Sequence, residues 1–132
     1  MIAQEPSRPF DLEERTYKFA LGVRRLLKNV PRTITVEIDG KQLVRSSGSV
    51  GANYLEANEC ISTRDFVYRI KICRKEARES RYWLNLLFIE QDSPFNSERL
   101  ALADEADQLA RIFGAIVRKK ESPVTPQPAT KP

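Results

Sequence analysis

Apolar residues recur along most of the chain at steps of three and four, which is the spacing of one face of an α-helix. The longest run, between about residues 63 and 91, follows a heptad through Phe66, Ile70, Cys73, Ala77, Ser80, Leu84 and Leu87. A later run with the same spacing comprises Leu102, Ala106, Leu109, Phe113 and Ile116. The pattern predicts two long helices in the second half of the chain, each with one face buried.

Prolines and capping residues set the limits of the predicted helices. All eight prolines lie near the ends of the chain or between three long stretches that contain none, as helices require, because proline removes a backbone donor. Asp11 and Glu14 have the capping-box spacing that begins a helix. Ser62, followed by Asp65, is the cap signal that divides the middle stretch. The apolar positions of the first predicted helix are Tyr17, Ala20, Val23, Leu27 and Val30.

The segment from about residue 34 to 59 admits two interpretations. Its glycines each cost a helix about 1 kcal/mol relative to alanine, and Thr33–Ile38 alternates branched and polar residues as a β-strand does. A lone strand has no pairing partner, which favours a helix. In a helix, Ser47 and Gly51 would let a neighbouring helix approach closely. The helix is the favoured prediction, and the strand stays open as its alternative.

Composition limits the chemistry that this chain can perform. Among 132 residues there is no histidine, which removes Ser-His-Asp triads, Cys-His dyads and imidazole metal ligands. The glycine-rich stretch 40–51 lacks the Lys-Ser/Thr pair of a phosphate-binding loop. Cys60 and Cys73 are predicted to be free, largely buried thiols. We therefore expect no catalytic residues, no metal and no cofactor.

The ends of the chain differ from its middle. No apolar run approaches the roughly 18 residues of a membrane-spanning helix, and the N-terminus lacks the features of a leader, so we expect a cytoplasmic protein that has no contact with membranes. The C-terminal residues carry four prolines and no apolar periodicity. The predicted organisation is an N-terminal extension over 1–9, a helical domain over 10–120 and a disordered tail over 121–132.

Two features of the third predicted helix suggest partners. A second apolar stripe lies off the heptad face and suggests self-association, because one bundle buries one stripe per helix; it consists of Tyr68, Ile72, Tyr82, Trp83 and Leu86. The same helix carries a run of basic residues, which suits phosphate binding but is interleaved with acids as a solvated surface is. This basic run comprises Arg64, Arg69, Lys71, Arg74, Lys75, Arg78 and Arg81.

Residues 42–57 read QLVRSSGSVGANYLEA, which resembles the Q-L-x-R-[AS]-[AS]-x-S-[IV]-x-A-N-x-x-E-[GA] signature of bacterial four-helix bundle proteins known from intervening sequences in 23S rRNA genes. The resemblance implies an all-α, up-and-down antiparallel four-helix bundle that assembles as a ring, typically a homopentamer. It also implies that Arg45, Asn53 and Glu56 make buried or interfacial polar contacts. Related bundles include the accessory protein of diversity-generating retroelements, which engages nucleic acid and a reverse transcriptase.

These observations lead to two hypotheses. The first is a non-enzymatic homo-oligomer that binds the backbone of RNA or DNA through the basic run. The alternative is a protein-interaction scaffold for a partner such as a polymerase or another host factor, without nucleic-acid binding.

Overall fold

The computed structural model describes residues 11–122, and this part of the chain consists of helices joined by short connections. In chain order the helices are α1 (Leu12–Asn29), α2 (Ile34–Asn58), α3 (Thr63–Leu86) and α4 (Asn96–Glu121). The predicted extension over 1–9 lies outside the described residues. So does the predicted tail, apart from Glu121, which ends α4, and Ser122.

Short polar side chains begin three of the helices. A carboxylate oxygen of Asp11 accepts a hydrogen bond from the backbone N–H of Glu14, and the hydroxyl of Ser62 accepts one from Asp65. Both caps confirm the sequence-based prediction. The hydroxyl of Thr33 caps α2 in the same way, so the strand alternative for Thr33–Ile38 is wrong and the helical interpretation is confirmed.

Each helix packs against its sequence neighbours, and α1 also packs against α4, whereas the backbones of the diagonal pairs stay apart within residues 11–122. Side chains of α2 and α4 still meet in the core, where the ring centroids of Tyr54 and Phe113 are 5.9 Å apart.

The helices α2 and α3 run antiparallel, because Arg45 near the middle of α2 meets Glu79 late in α3, while Asn53 later in α2 meets Arg69 early in α3. The same holds for α3 and α4, where Arg81 meets Asp107 and Lys71 meets Glu121, and for α1 and α2, where Thr16 lies beside Gly51 and Leu27 beside Gly40. The up-and-down four-helix arrangement is thus confirmed. At its centre lie fully buried side chains, including Phe19, Leu43, Val50, Ile70, Leu84, Leu109 and Phe113.

The buried face of α1 differs from the prediction. Tyr17 is 64% exposed, and the chain buries Thr16 instead, together with Leu12 and Phe19. Thr16 tolerates burial because its hydroxyl donates to the carbonyl of Leu12 at 2.6 Å, so no polar group is left unpaired. The predicted stripe contained only apolar residues, so it left out Thr16 and wrongly placed Tyr17 on the buried face of α1.

The heptad of α3 is buried from Ile70 onward, and Phe66 is partly buried. The helix ends at Leu86, earlier than the predicted end near residue 91, because Leu87 adopts an extended backbone that keeps its side chain in the core. The Nη1 of Arg99 in α4 donates to the carbonyl of Leu84 at 3.1 Å. This contact satisfies one of the carbonyls that a helix end leaves free.

Small residues of α2 allow close packing, as predicted. A Cβ added to Gly51 would stand 2.9 Å from Oγ1 and 3.2 Å from Cβ of Thr16 in α1. Real Cβ atoms do not approach so closely, so the two helix backbones meet at a distance that only glycine permits.

The two cysteines are free thiols, as predicted. Cys73 is buried on the core face of α3, and burial raises the pKa of its thiol to about 12. Cys60, within the α2–α3 connection, is only partly buried. Separately, no helix within residues 11–122 is long and apolar enough to span a bilayer.

Candidate anion-binding groove between α3 and α4

An open groove of about 480 Å³ runs between α3 and α4. Its α4 wall comes from residues three and four positions apart, which share one face of the helix, and the small residues Ala110 and Gly114 form the floor. We call this the arginine groove, because five arginines line it: Arg74, Arg78, Arg81, Arg111 and Arg118.

One carboxylate lies among these arginines, and it is already engaged. Asp107 accepts from Nη1 of Arg81 at 3.1 Å and from Nε of Arg111 at 2.9 Å. No carboxylate of residues 11–122 comes within 4.0 Å of the guanidinium groups of Arg74, Arg78 or Arg118, by contrast. The groove therefore carries a surplus of positive charge that its own acid does not neutralise.

Two of these guanidinium groups converge over the groove floor. Nη1 of Arg118 lies 3.4 Å, and Nη1 of Arg74 3.9 Å, from the point where a Cβ on Gly114 would stand. Cδ of Arg74 lies 3.6 Å from the same point, so the arginine stem covers the bare backbone of Gly114. Guanidinium groups in this arrangement can bind one phosphate or carboxylate group from two sides.

The structure divides the predicted basic run. Arg74, Arg78 and Arg81 lie in the arginine groove, whereas Arg69 turns to the other flank of α3, where its Nη1 donates to Oδ1 of Asn53 at 2.8 Å. Lys75 is exposed, 3.9 Å from Glu76. Most of the run thus shares the α4 flank of α3, a grouping that the interleaved acids had concealed.

The remaining predicted basic residues extend this positive flank. Arg64 and Lys71 line a second depression, of about 430 Å³, together with Lys120 of α4. Lys71 pairs with Glu121 at 2.9 Å. Basic side chains therefore follow the α3–α4 border along most of its length.

The opposite flank of α3 is a closed polar seam against α2. Arg45 donates to Glu76 at 3.3 Å and to Glu79, and the hydroxyls of Ser46 and Ser80 are 2.8 Å apart in the core. Glu76 is 5% exposed, so its charge requires the partner that Arg45 supplies. This seam joins two helices and leaves little charge free for a ligand.

The three signature residues of α2 do not form one network. Arg45 bonds the acids of α3, and Asn53 accepts from Arg69 while its Nδ2 donates to Ser49. Glu56 is exposed, and its carboxylate makes no hydrogen bond or ion pair within residues 11–122. Two of the three thus tie α2 to α3, which the spacing along α2 alone could not show.

Hydrogen bonds perturb the pKa of one acid in the seam. Nε1 of Trp83 donates to Glu79 at 3.0 Å, and this bond, with that from Arg45, lowers the pKa of the Glu79 carboxyl. The bonds to Glu79 in turn raise the pKa of Arg45. Trp83 is held in place by this contact.

The second apolar stripe of α3 lies on the outer surface of the bundle. Tyr68 is 62%, Tyr82 58% and Leu86 49% exposed, whereas Ile72 and Trp83 are partly buried. Tyr82 also lines the arginine groove and packs edge-on against Trp83, with ring centroids 5.0 Å apart and an interplanar angle of 75°. One predicted interface residue therefore belongs to the wall of the groove.

The sequence-based prediction did not include the residues that α4 contributes to the arginine groove. Arg111 and Arg118 are seven residues apart, with Asp107 and Gly114 on the same face of the helix. The signal was present as a stripe of long basic and small residues. It becomes meaningful only once α4 is known to lie beside the basic flank of α3.

Comparison with known proteins identifies the family. Residues 9–114 match the family described as 23S rRNA-intervening sequence protein. The chain belongs to this family. A similar solved structure is the crystal structure of a protein with unknown function from the S23 ribosomal protein family of Bacteroides thetaiotaomicron, with a TM-score of 0.68 and 25% sequence identity. That match covers 81% of this chain and 98% of the other. No curated protein matches the chain.

Proposed function

We propose that this family member is a non-enzymatic, cytoplasmic protein that binds RNA or DNA through backbone phosphates in the arginine groove. The observation that carries the proposal is the charge imbalance of the groove, where five arginines surround a single carboxylate. Contacts of this kind are sequence-tolerant and weaken with salt, because binding releases counterions from the nucleic acid.

The proposal includes self-association through the outer surface of α3. Tyr82 and Leu86, one helical turn apart, both expose apolar surface, and Tyr68 exposes more toward the start of the helix; contiguous exposed apolar surface marks interfaces. The pentameric ring is carried over from the family resemblance. A ring would repeat the arginine groove in every copy, so that a modest local charge becomes a strong field for a long polyanion.

Fluorescence anisotropy with a labelled RNA at low salt tests nucleic-acid binding. We expect Arg78→Gln to weaken binding, while Arg25→Gln on α1, which removes the same charge from another exposed position outside the arginine groove, leaves it within about twofold. Failure of the native protein to retain RNA or DNA at low salt would contradict the proposal. Equal effects of the two substitutions would show that only net charge matters.

Light scattering after size exclusion tests the oligomer. Leu86→Glu places a charge on the proposed interface, and Leu100→Glu places the same charge at a similarly exposed leucine of α4, 51% against 49%. We expect the first substitution to release monomers and the second to preserve the assembly. A native protein that is monomeric would refute self-association.

The exposed stripe also supports the alternative function, a scaffold for a protein such as a polymerase. In that case Leu86→Glu would abolish capture of the partner, nuclease treatment would not, and substitution of the groove arginines would have no effect.

A further inference from the structure

The arginine groove combines positively charged side chains, which lie over a floor of small residues, with an exposed aromatic ring. Tyr82 lines the groove one helical turn beyond Arg78, about 6 Å along the axis of α3. The adjoining Asn85 adds a side-chain amide to the same wall. Arg74 lies one turn before Arg78, about 12 Å from Tyr82 along the axis, so phosphate ligands, a stacking surface and a hydrogen-bonding group lie within the span of about two nucleotides.

The ring of Tyr82 is supported from behind. It meets Trp83 edge-on at 5.0 Å between centroids, and the Trp83 indole is itself bonded to Glu79 at 3.0 Å. Tyr82 nevertheless remains 58% exposed, so its supported position leaves ring surface free. An aromatic ring that is both held and exposed is suited to stack against a flat partner.

The shape of the groove limits what can enter. Packed helices are separated by about 8–10 Å between axes, and the groove volume of about 480 Å³ is in the range of small-molecule sites. A duplex keeps its bases stacked inside and can only rest its backbone across the rim. A single strand can place a phosphate on the floor and turn a base outward.

We infer that the arginine groove takes a single-stranded segment of RNA or DNA, with a phosphate held between Arg74 and Arg118 and an adjoining unpaired base stacked on Tyr82. This inference rests on the proposed function and names the class of nucleic acid that the same site selects. Arg78, on the rim beside Tyr82, contacts the next phosphate.

The test compares two labelled probes at the same low salt, an oligothymidylate of about 20 nucleotides and a duplex of equal length. A purely electrostatic surface prefers the duplex, because its charge density is higher. We expect the oligothymidylate to bind more tightly. Equal affinity or a duplex preference would overturn the inference while leaving the proposed function intact, whereas absence of binding to either probe would refute both.

Substitution of Tyr82 separates stacking from charge. We expect Tyr82→Ala to weaken oligothymidylate binding about fivefold or more, without changing duplex affinity or the salt dependence, and Tyr82→Phe to preserve binding. Tyr17→Ala, at a 64% exposed tyrosine on α1, is the matched control and should bind normally. Equal losses for both probes in Tyr82→Ala, or a loss in Tyr82→Phe, would overturn the inference.

A measurement on the native protein keeps the test independent of mutant folding. Trp83 is the only tryptophan of the chain and contacts Tyr82, so a base stacked on Tyr82 should alter its fluorescence. We expect oligothymidylate to change the emission and the duplex to leave it unchanged. An identical response to both probes would contradict base stacking at this position.

Discussion

Arginines lie along both flanks of α3, yet the two flanks differ in how those arginines are paired. On the α2 flank, Arg45 bonds the acids of α3 and Arg69 bonds Asn53. On the α4 flank, Arg74 and Arg78 have no carboxylate partner within residues 11–122. The comparison teaches that the number of arginines does not identify a binding surface. What identifies it is the charge left over after the fold has satisfied its own acids.

The largest expected effect is a loss of nucleic-acid affinity when the unpaired arginines of the groove are replaced. Replacing Arg74, Arg78 and Arg118 together with glutamine removes three potential phosphate contacts, and we expect affinity for RNA or DNA to fall on the order of 100-fold at about 0.1 M salt. The free energy of unfolding should change little, because these side chains form no ion pair with any residue between 11 and 122. A large loss of stability, measured by urea denaturation, would show that they are structural.

Gly51 and Gly114 differ in their surroundings, because Gly51 lies against a closely packed helix and Gly114 lies under the arginine side chains of the open groove. A Cβ on Gly51 would meet the buried Thr16 at 2.9 Å, so Gly51→Ala should lower the free energy of unfolding by about 1–3 kcal/mol. A Cβ on Gly114 would meet only arginine side chains at 3.4 Å or more, so Gly114→Ala should raise it by about 0.5–1 kcal/mol. Urea denaturation of both variants gives the comparison, and equal effects would refute it.

Loss of Arg45 from the polar seam between α2 and α3 should lower the free energy of unfolding and leave nucleic-acid affinity nearly unchanged. Arg45→Gln leaves the buried carboxylate of Glu76 without its main partner, and we expect a cost of about 1–2 kcal/mol, reduced from a fully buried pair because Arg45 is half exposed. Nucleic-acid affinity should stay within about twofold of the native value. Anisotropy and urea denaturation, with Arg25→Gln as control, distinguish this from the arginine groove.

The smallest expected effect is a pH dependence of the free energy of unfolding, which arises from Glu79 in the polar seam. Hydrogen bonds from Trp83 and Arg45 lower the pKa of Glu79, so its carboxylate stabilises the fold above its unfolded pKa of about 4.3 and loses this contribution as pH falls through the folded value. Native protein should therefore exceed Glu79→Gln in stability at neutral pH and converge with it in acid. Unfolding monitored by Trp83 fluorescence over this pH range measures the difference, with Glu56→Gln, at an exposed acid, as the control. A difference that persists unchanged in acid would contradict the prediction.

Local signals in the sequence predicted most of the fold. The caps at Asp11 and Ser62 and the heptad of α3 each depend on residues a few positions apart, and the structure confirms them. Thr16 was missed because a threonine that bonds its own helix is buried like an apolar residue. The end of α3 was placed too late because Leu87 remains in the core after the helix has ended.

The arginine groove could not be derived from one helix. It exists because Gly114 of α4 lies beside Arg74 of α3, and these residues are 40 positions apart in the sequence. The sequence places Tyr82 in the apolar stripe because its side chain is aromatic. Only the position of α4 shows that the same ring also borders the arginines.

The most direct measurement is the salt dependence of nucleic-acid affinity for native protein and for the variant with glutamine at 74, 78 and 118. If the unpaired arginines hold two phosphates, one between Arg74 and Arg118 and the next at Arg78, the slope of log affinity against log salt should become shallower by about 1.4 for single strands. A variant that binds with the native slope would show that the groove arginines contact no phosphate, and would contradict the proposed function at its core.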